Sequence, residues 1–198
     1  MLGDVEPPST AAIVTSLCFS AADARPNYRA ERGGTPFEQY RMQFHLLTSL
    51  LRSLALVRTR LKVWTLVTER HAVFEAHLSR LGSTALPVTS SPPRPAWVTN
   101  SFFATTWTKL LILELTQFST VVFLDNDVVA LRNIDHLAMV PTPAYAFLPS
   151  DAGINSGVAV VKPDAAVATR LRAFVRAQPR RMRCMGGCVR AAPTHRLR

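Results

Sequence analysis

The sequence predicts an α/β fold built on a mostly parallel central sheet flanked by helices, and three observations carry that prediction. Apolar runs of strand length alternate along the chain with stretches of helical period. The most apolar of the short runs, Thr120 to Leu124, ends without Gly or Pro in Asp125-Asn126-Asp127. The chain has 198 residues, 48% of them hydrophobic and 18% charged, enough for one domain with a sizeable core and too few for two comfortable ones.

In chain order, Ala11 to Phe19 is the first buried strand. Ser20 to Pro36, rich in Gly, Arg and Pro, is a loop long enough to be a lid or an insertion. From Phe37 the apolar period becomes helical: Tyr40, Phe44, Leu47, Leu51 and Leu54 form one face of an amphipathic helix. Leu61 to Thr68 is a second strand. Phe74, His77, Leu78 and Leu81 line a second helix that Gly82 stops, which makes His77 a packed or surface residue rather than a ligand. Ala85 to Thr89 is a short third strand, and Ser90 to Ala104, with three prolines, is a loop. The helix that follows, through Leu115, is apolar nearly all round and so belongs inside the domain. Asn133-Ile134-Asp135 can open a short helix, and Ala144 to Leu148 and Gly157 to Val161 are two more strands. Asp164 caps a last helix with Val167, Leu171, Phe174 and Val175 at its apolar positions. The organisation expected is an extension over 1–10, a domain over 11–179, and a tail over 180–198 that has neither period and no acidic residue.

Thr120 to Leu124, dominated by β-branched and aromatic residues, suits a strand buried on both faces. In extended backbone positions i and i+2 point to one side, so Asp125 and Asp127 are expected to face one point. Two carboxylates that close raise each other's pKa unless a cation lies between them. A hard, oxygen-preferring ion, Mn²⁺ or Mg²⁺, suits that pair, with positions left open for a diphosphate. Asp-Asn-Asp is also an ordinary turn sequence. Position favours the metal, because ligands of open α/β sheets bind outside the carboxyl ends of strands. Lys109 opens the apolar helix, where a cation opposes the macrodipole. Either an anion lies nearby or the lysine snorkels to the surface.

The net charge of +10 is not a property of the body. Nine of the 23 basic residues are arginines from position 170 onward, which leaves 14 against 13 acidic residues in the rest of the chain. A basic tail attracts polyanions, but no aromatic interleaving or reading motif accompanies it, so no nucleic-acid partner is expected. Cys18 lies in an apolar run, and Cys184 and Cys188 have no His pair beside them, so neither a disulfide framework nor a zinc site is expected. The first residues carry acids where a signal peptide needs basic residues, and no apolar run reaches membrane-spanning length. The expected location is cytoplasmic for the chain as written, and the Golgi lumen for one carrying an upstream anchor.

Three motifs stand in order: Trp107-Thr-Lys109-Leu, then Val121-Val-Phe-Leu-Asp125-Asn-Asp127-Val-Val-Ala-Leu-Arg-Asn-Ile-Asp135, then Ile154-Asn155-Ser156-Gly157-Val-Ala-Val-Val-Lys-Pro. In sequence and spacing they resemble the family 8 glycosyltransferases, the group containing glycogenin, over roughly residues 11 to 179. The resemblance implies a GT-A type nucleotide-diphospho-sugar transferase fold, incomplete at its C-terminal side. It implies a metal-dependent, retaining transfer of a sugar from a UDP-sugar donor to the hydroxyl of a glycan, protein or small-molecule acceptor. Asp125 and Asp127 match the Mn²⁺-binding pair, with Asp125 near the ribose and Asn126 between them. Lys109 matches a lysine near the donor's diphosphate and sugar, and with Asp127 it is the expected catalytic residue. Asn155, with Ser156 beside it at the Asn-Ser-Gly turn, matches a residue that contacts the donor sugar. Tyr40 matches the family's uracil-stacking tyrosine by its distance ahead of Ser49 and Leu51.

The chain departs from the family pattern in two places. Leu17-Cys18-Phe19-Ser20 stands where the family has Thr-x-Asn-Asp. Beyond Pro179 the family's Asp-Gln-Gly and late His-x-x-Gly-x-x-Lys-Pro-Trp segments are absent from this sequence. The alternative expectations are therefore an inactive, truncated or merely nucleotide-sugar-binding relative, or another GT-A enzyme such as an inverting transferase or a nucleotidyltransferase.

Overall fold

The computed structural model of the chain describes residues 10–17, 36–67, 72–88, 105–147 and 154–177. The expected loops over 20–36 and 90–104, the three cysteines and the tail lie outside these residues, apart from Pro36. Six strands form one sheet: β1 (Ala11–Leu17), β2 (Lys62–Val67), β3 (Ser83–Pro87), β4 (Thr120–Leu124), β5 (Ala144–Phe147) and β6 (Ile154–Val161). Their spatial order is β3-β2-β1-β4-β6-β5. The first four run parallel, whereas β6 is antiparallel to both β4 and β5. This is the mostly parallel α/β sheet that the alternation predicted, with one reversed strand, β6, between β4 and the edge strand β5.

The centre of the sheet, β1 and β4, is its most buried part. Val121, Val122 and Phe123 are fully buried and Leu124 nearly so, which confirms that β4 is covered on both faces. Alternation splits these side chains between two cores. Val122 and Leu124 join Ile13, Leu17 and Val63 under helices α1 (Pro36–Leu56) and α2 (Ala72–Arg80). Val121 and Phe123 join Val14, Leu66 and Val161 under a 3₁₀ helix, Thr105–Glu114, which α3 (Ala165–Ala177) packs against in turn.

α1 buries the face that its period predicted: Leu47, Leu51 and Leu54 are in the core, with Leu50 between them and Phe44 at the margin. It ends in a Schellman arrangement, with Thr59 N donating to Leu54 O (3.3 Å), Arg58 N to Ala55 O (3.1 Å), and Arg58 left-handed at φ 53°. α2 ends at Gly82, whose φ of +79° explains why a glycine stands there. His77 is packed, its ring 4.8 Å from that of Phe44.

Three expectations need correction. The apolar segment after residue 104 winds as a 3₁₀ helix, so Thr108 and Leu111 share its buried edge together with Ile112. In α3, Phe174 is 56% exposed and Ala168 is buried in its place beside Val175, because the 3₁₀ helix meets only a narrow stripe of α3. β6 begins at Ile154 rather than Gly157, so Asn155 and Ser156 are strand residues and not a turn. The expected cap is present: Asp164 Oδ1 accepts from Ala166 N (2.7 Å) and Val167 N (3.0 Å). No helix among the described residues is long and apolar enough to cross a membrane.

Candidate functional site

The site forms at the carboxyl end of β4, where three elements converge for identifiable reasons. Asp125 follows Phe123 by two residues and therefore points to the same face of the sheet, the face covered by the 3₁₀ helix. Lys109 extends from that helix over the Phe123 ring, with Nζ 5.6 Å from its centroid. Its ammonium donates to Asp125 Oδ2 at 2.7 Å. Lys109 is the fifth residue of the helix, not its opening as expected, because the helix starts at Thr105; the anion beside it is Asp125. β6 supplies the third side. Asp125 N donates to Gly157 O at 2.7 Å, extending the β4–β6 ladder by one step and bringing Asn155-Ser156-Gly157 against the carboxylate. Lys109 Nζ also donates to Ser156 Oγ at 3.3 Å. Asn155 Oδ1 accepts from Gly157 N at 2.6 Å.

Gly157 was legible as part of the third motif but not as a site residue. A Cβ on it would lie 2.9 Å from Asn155 Oδ1 and 3.1 Å from Asp125 Oδ2. A side chain at 157 would press on both oxygens, and glycine lets β6 approach Asp125 without displacing them. Gln43 was missed altogether. From α1, on the other face of the sheet, its Oε1 accepts from Asn126 Nδ2 at 2.6 Å and holds the turn after β4. No period singles out such a residue, because it flanks the apolar stripe like any other polar position.

Asp125 and Asp127 do not lie on extended backbone. Val128 N donates to Asp125 O at 3.2 Å, so 125–128 is a β-turn with Asn126 and Asp127 at its corner. The turn leaves Asp127 exposed, and no described side chain hydrogen-bonds it. It still acts on Asp125. Burial pushes the Asp125 carboxyl above the ordinary carboxylate range, Lys109 draws it back by charge and hydrogen bond, and the charge of Asp127 adds a smaller upward push. An added cation at the turn relieves both upward effects. The donors offered to it are hard oxygens, which fit Mn²⁺ or Mg²⁺. Among the described residues no third His, Cys, Asp or Glu joins the two carboxylates. An ion there would complete its shell with water and ligand oxygens.

Of the residues singled out in the sequence, Lys109, Asp125, Asn155 and Ser156 come together. Asn126 is turned to Gln43, and Asp127 stands at the rim. Tyr40 lies on α1 three residues before Gln43, and its side chain is outside the described residues.

A parallel sheet with one reversed strand beside its central strand, and a carboxylate at the end of that central strand, has the form of a GT-A type fold. Among solved structures, the chain is similar in fold to the glycosyltransferase GlyE of Streptococcus pneumoniae TIGR4, with a TM-score of 0.52 at 12% identity. The match covers 82% of this chain and 36% of the other, so the chain spans little more than a third of GlyE's length. The apo form of GlyE matches at the same TM-score with 13% identity over the same shares of the two chains. A 4-diphosphocytidyl-2C-methyl-D-erythritol synthase from Anaerococcus prevotii DSM 20548 matches at a TM-score of 0.41 and 10% identity, over 86% of this chain and 78% of that one. No family model and no curated protein sequence matches the chain.

Proposed function

We propose that this chain is the donor-binding part of a glycosyltransferase that moves a sugar from a UDP-sugar to an acceptor hydroxyl with retention of configuration. One observation carries the reading. Lys109, Asp125, Asn155 and Ser156, drawn from three separate motifs, meet at the end of the central strand of a glycosyltransferase-like fold.

In this reading Asp125 and Asp127 hold Mn²⁺, or Mg²⁺, and that ion supplies electrostatic stabilisation of the departing diphosphate. Lys109 brings a fixed positive charge to the same diphosphate. Two of its three donors are engaged among the described residues, by Asp125 and Ser156, which leaves one for a phosphate oxygen. The Ser156 hydroxyl and the Asn155 amide, beside it on β6, are the proposed contacts of the donor sugar. Tyr40 is the proposed stacking partner of the base. No carboxylate is assigned as a covalent nucleophile.

The test is calorimetry of UDP binding with and without Mn²⁺, paired with UDP release from UDP-glucose, UDP-galactose, UDP-glucuronic acid and UDP-xylose. The reading expects UDP to bind more tightly with Mn²⁺, and that increment to vanish in Asp125→Asn/Asp127→Asn. Equal affinity in a folded sample would overturn it. A second reading is a protein that binds the donor without turning it over. It is favoured by the described residues offering the ion two carboxylates and no third His, Cys, Asp or Glu. Tight UDP binding with only trace release from all four sugars would select it.

A further inference from the structure

Lys109 and a divalent ion make rival claims on one carboxylate. Nζ lies 2.7 Å from Asp125 Oδ2, so a divalent ion held by either oxygen of Asp125 would stand close to a fixed ammonium. Two cations so close repel strongly in a half-buried site. The ammonium cannot simply withdraw into solvent, because it is held from two further directions, by the Phe123 ring and by Ser156 Oγ. It is a tethered charge with one nearby alternative anchor.

We propose that Lys109 is the resident counter-ion of Asp125 and competes with the divalent ion for that carboxylate. A diphosphate couples the two by drawing the ammonium off Asp125 onto its own oxygens. The inference rests on the donor-site reading above. Free of nucleotide, the site holds metal weakly because its cation is already present. With a diphosphate bound, Lys109 has a second anion to neutralise, and Asp125 is released to the metal. Metal and nucleotide then raise each other's affinity by one shared factor, as linkage requires. Ser156 keeps the displaced ammonium within reach.

The experiment uses the 198-residue chain and reads the free-ion electron paramagnetic resonance signal of Mn²⁺ without nucleotide, and UDP affinity by calorimetry in EDTA. Lys109→Met is expected to bind Mn²⁺ about tenfold more tightly than wild type, equivalent to about 1.4 kcal/mol. The same variant is expected to bind UDP without metal about tenfold more weakly, again about 1.4 kcal/mol. The opposite signs exclude general damage, which would weaken both. Lys109→Gln serves the same purpose should the methionine variant not fold, and Asp125→Asn must abolish Mn²⁺ uptake in either background. Unchanged or weaker Mn²⁺ binding in Lys109→Met, in a protein whose UDP binding still responds to Mn²⁺, overturns the competition and leaves the donor site standing. Absence of both Mn²⁺ and UDP binding in wild type overturns both.

Discussion

Asp125 and Asp135 lie ten residues apart in the segment that follows β4, and the protein treats them in opposite ways. Asp135 is 4% exposed, yet its carboxylate accepts from the Thr59 hydroxyl, from Arg60 N at 2.9 Å and from Asn133 Nδ2 at 3.2 Å. Burial alone would push its pKa up; the hydrogen bonds from Thr59, Arg60 and Asn133 outweigh burial and hold it below the ordinary range. Asn133 Oδ1 also accepts from Asp135 N at 2.9 Å, and its Nδ2 donates to Val57 O and Arg58 O, so this carboxylate and Asn133 latch the post-β4 segment to the end of α1. Asp125 is less buried but has one ionic partner and a raised pKa. A buried carboxylate with its lone pairs filled is a structural element; Asp125, with fewer partners among the described residues and a second carboxylate beside it, is where the proposed ligand site lies.

Substitutions at the two positions should therefore separate function from stability, and the largest effect is expected at Asp125. Asp125→Asn should lower UDP-sugar turnover by at least about a hundredfold, the scale of losing a charge-stabilising group. Its Tm should move by less than about 4 °C, which corresponds to roughly 1 kcal/mol for a domain of this size. A large Tm loss with retained turnover would reverse the assignment of the two carboxylates. Asp135→Ala should do the converse, leaving three donors unmet at a cost of about 3 kcal/mol. Thermal unfolding should show Tm falling by about 6–12 °C, with UDP affinity unchanged below the transition.

Glycine 157 tests how closely the site depends on β6. Gly157→Ala places a methyl group against Asp125 and Asn155, so Mn²⁺-dependent UDP affinity should fall about tenfold, roughly 1.4 kcal/mol. An unchanged affinity would mean that β6 does not shape the ligand site.

The two pKa shifts predict opposite pH dependences. The stability from Asp135, whose folded pKa is lowered, is full above the ordinary carboxylate value of about 4 and is lost as pH falls through the depressed folded value. The advantage of wild type over Asp135→Asn should shrink in that acid window. Asp125, with a raised folded pKa, favours the fold when protonated, and that contribution disappears as pH rises through the folded value. Asp125→Asn should accordingly gain on wild type with rising pH. Denaturant midpoints across pH 3 to 7 would show both trends, and parallel curves would refute the contrast. The smallest effect is expected next to the latch, at Arg58. Arg58→Gly removes the cost of a left-handed side-chain-bearing residue and should stabilise by about 0.5–1 kcal/mol, seen as a small rise in denaturant midpoint.

Much of this arrangement was legible in the sequence. The strand of Thr120 to Leu124, the α1 face, the Gly82 stop and the Asp164 cap follow from period, propensity and local hydrogen bonding, which act within a few residues of one another. Lys109, Asp125, Asn155 and Ser156 were singled out as well: Asp125 and Lys109 interrupt apolar runs, whereas Asn155 and Ser156 entered through the resemblance alone. Proximity in sequence was less informative about geometry. Asp125 and Asp127 read as a matched pair, yet the backbone turns between them and leaves one at the rim.

The sequence by itself determined where most strands and helices lie and which residues interrupt the apolar pattern, since side-chain period and turn chemistry are local properties. Only the tertiary structure decided that β6 enters antiparallel beside β4, where Gly157 lets it approach Asp125. It also placed Gln43 under Asn126, 83 residues away in sequence, and chose Lys109 rather than solvent as the partner of Asp125. Those contacts depend on which strand lies next to which and which helix covers each face, and such pairings are settled by the packing of the whole sheet.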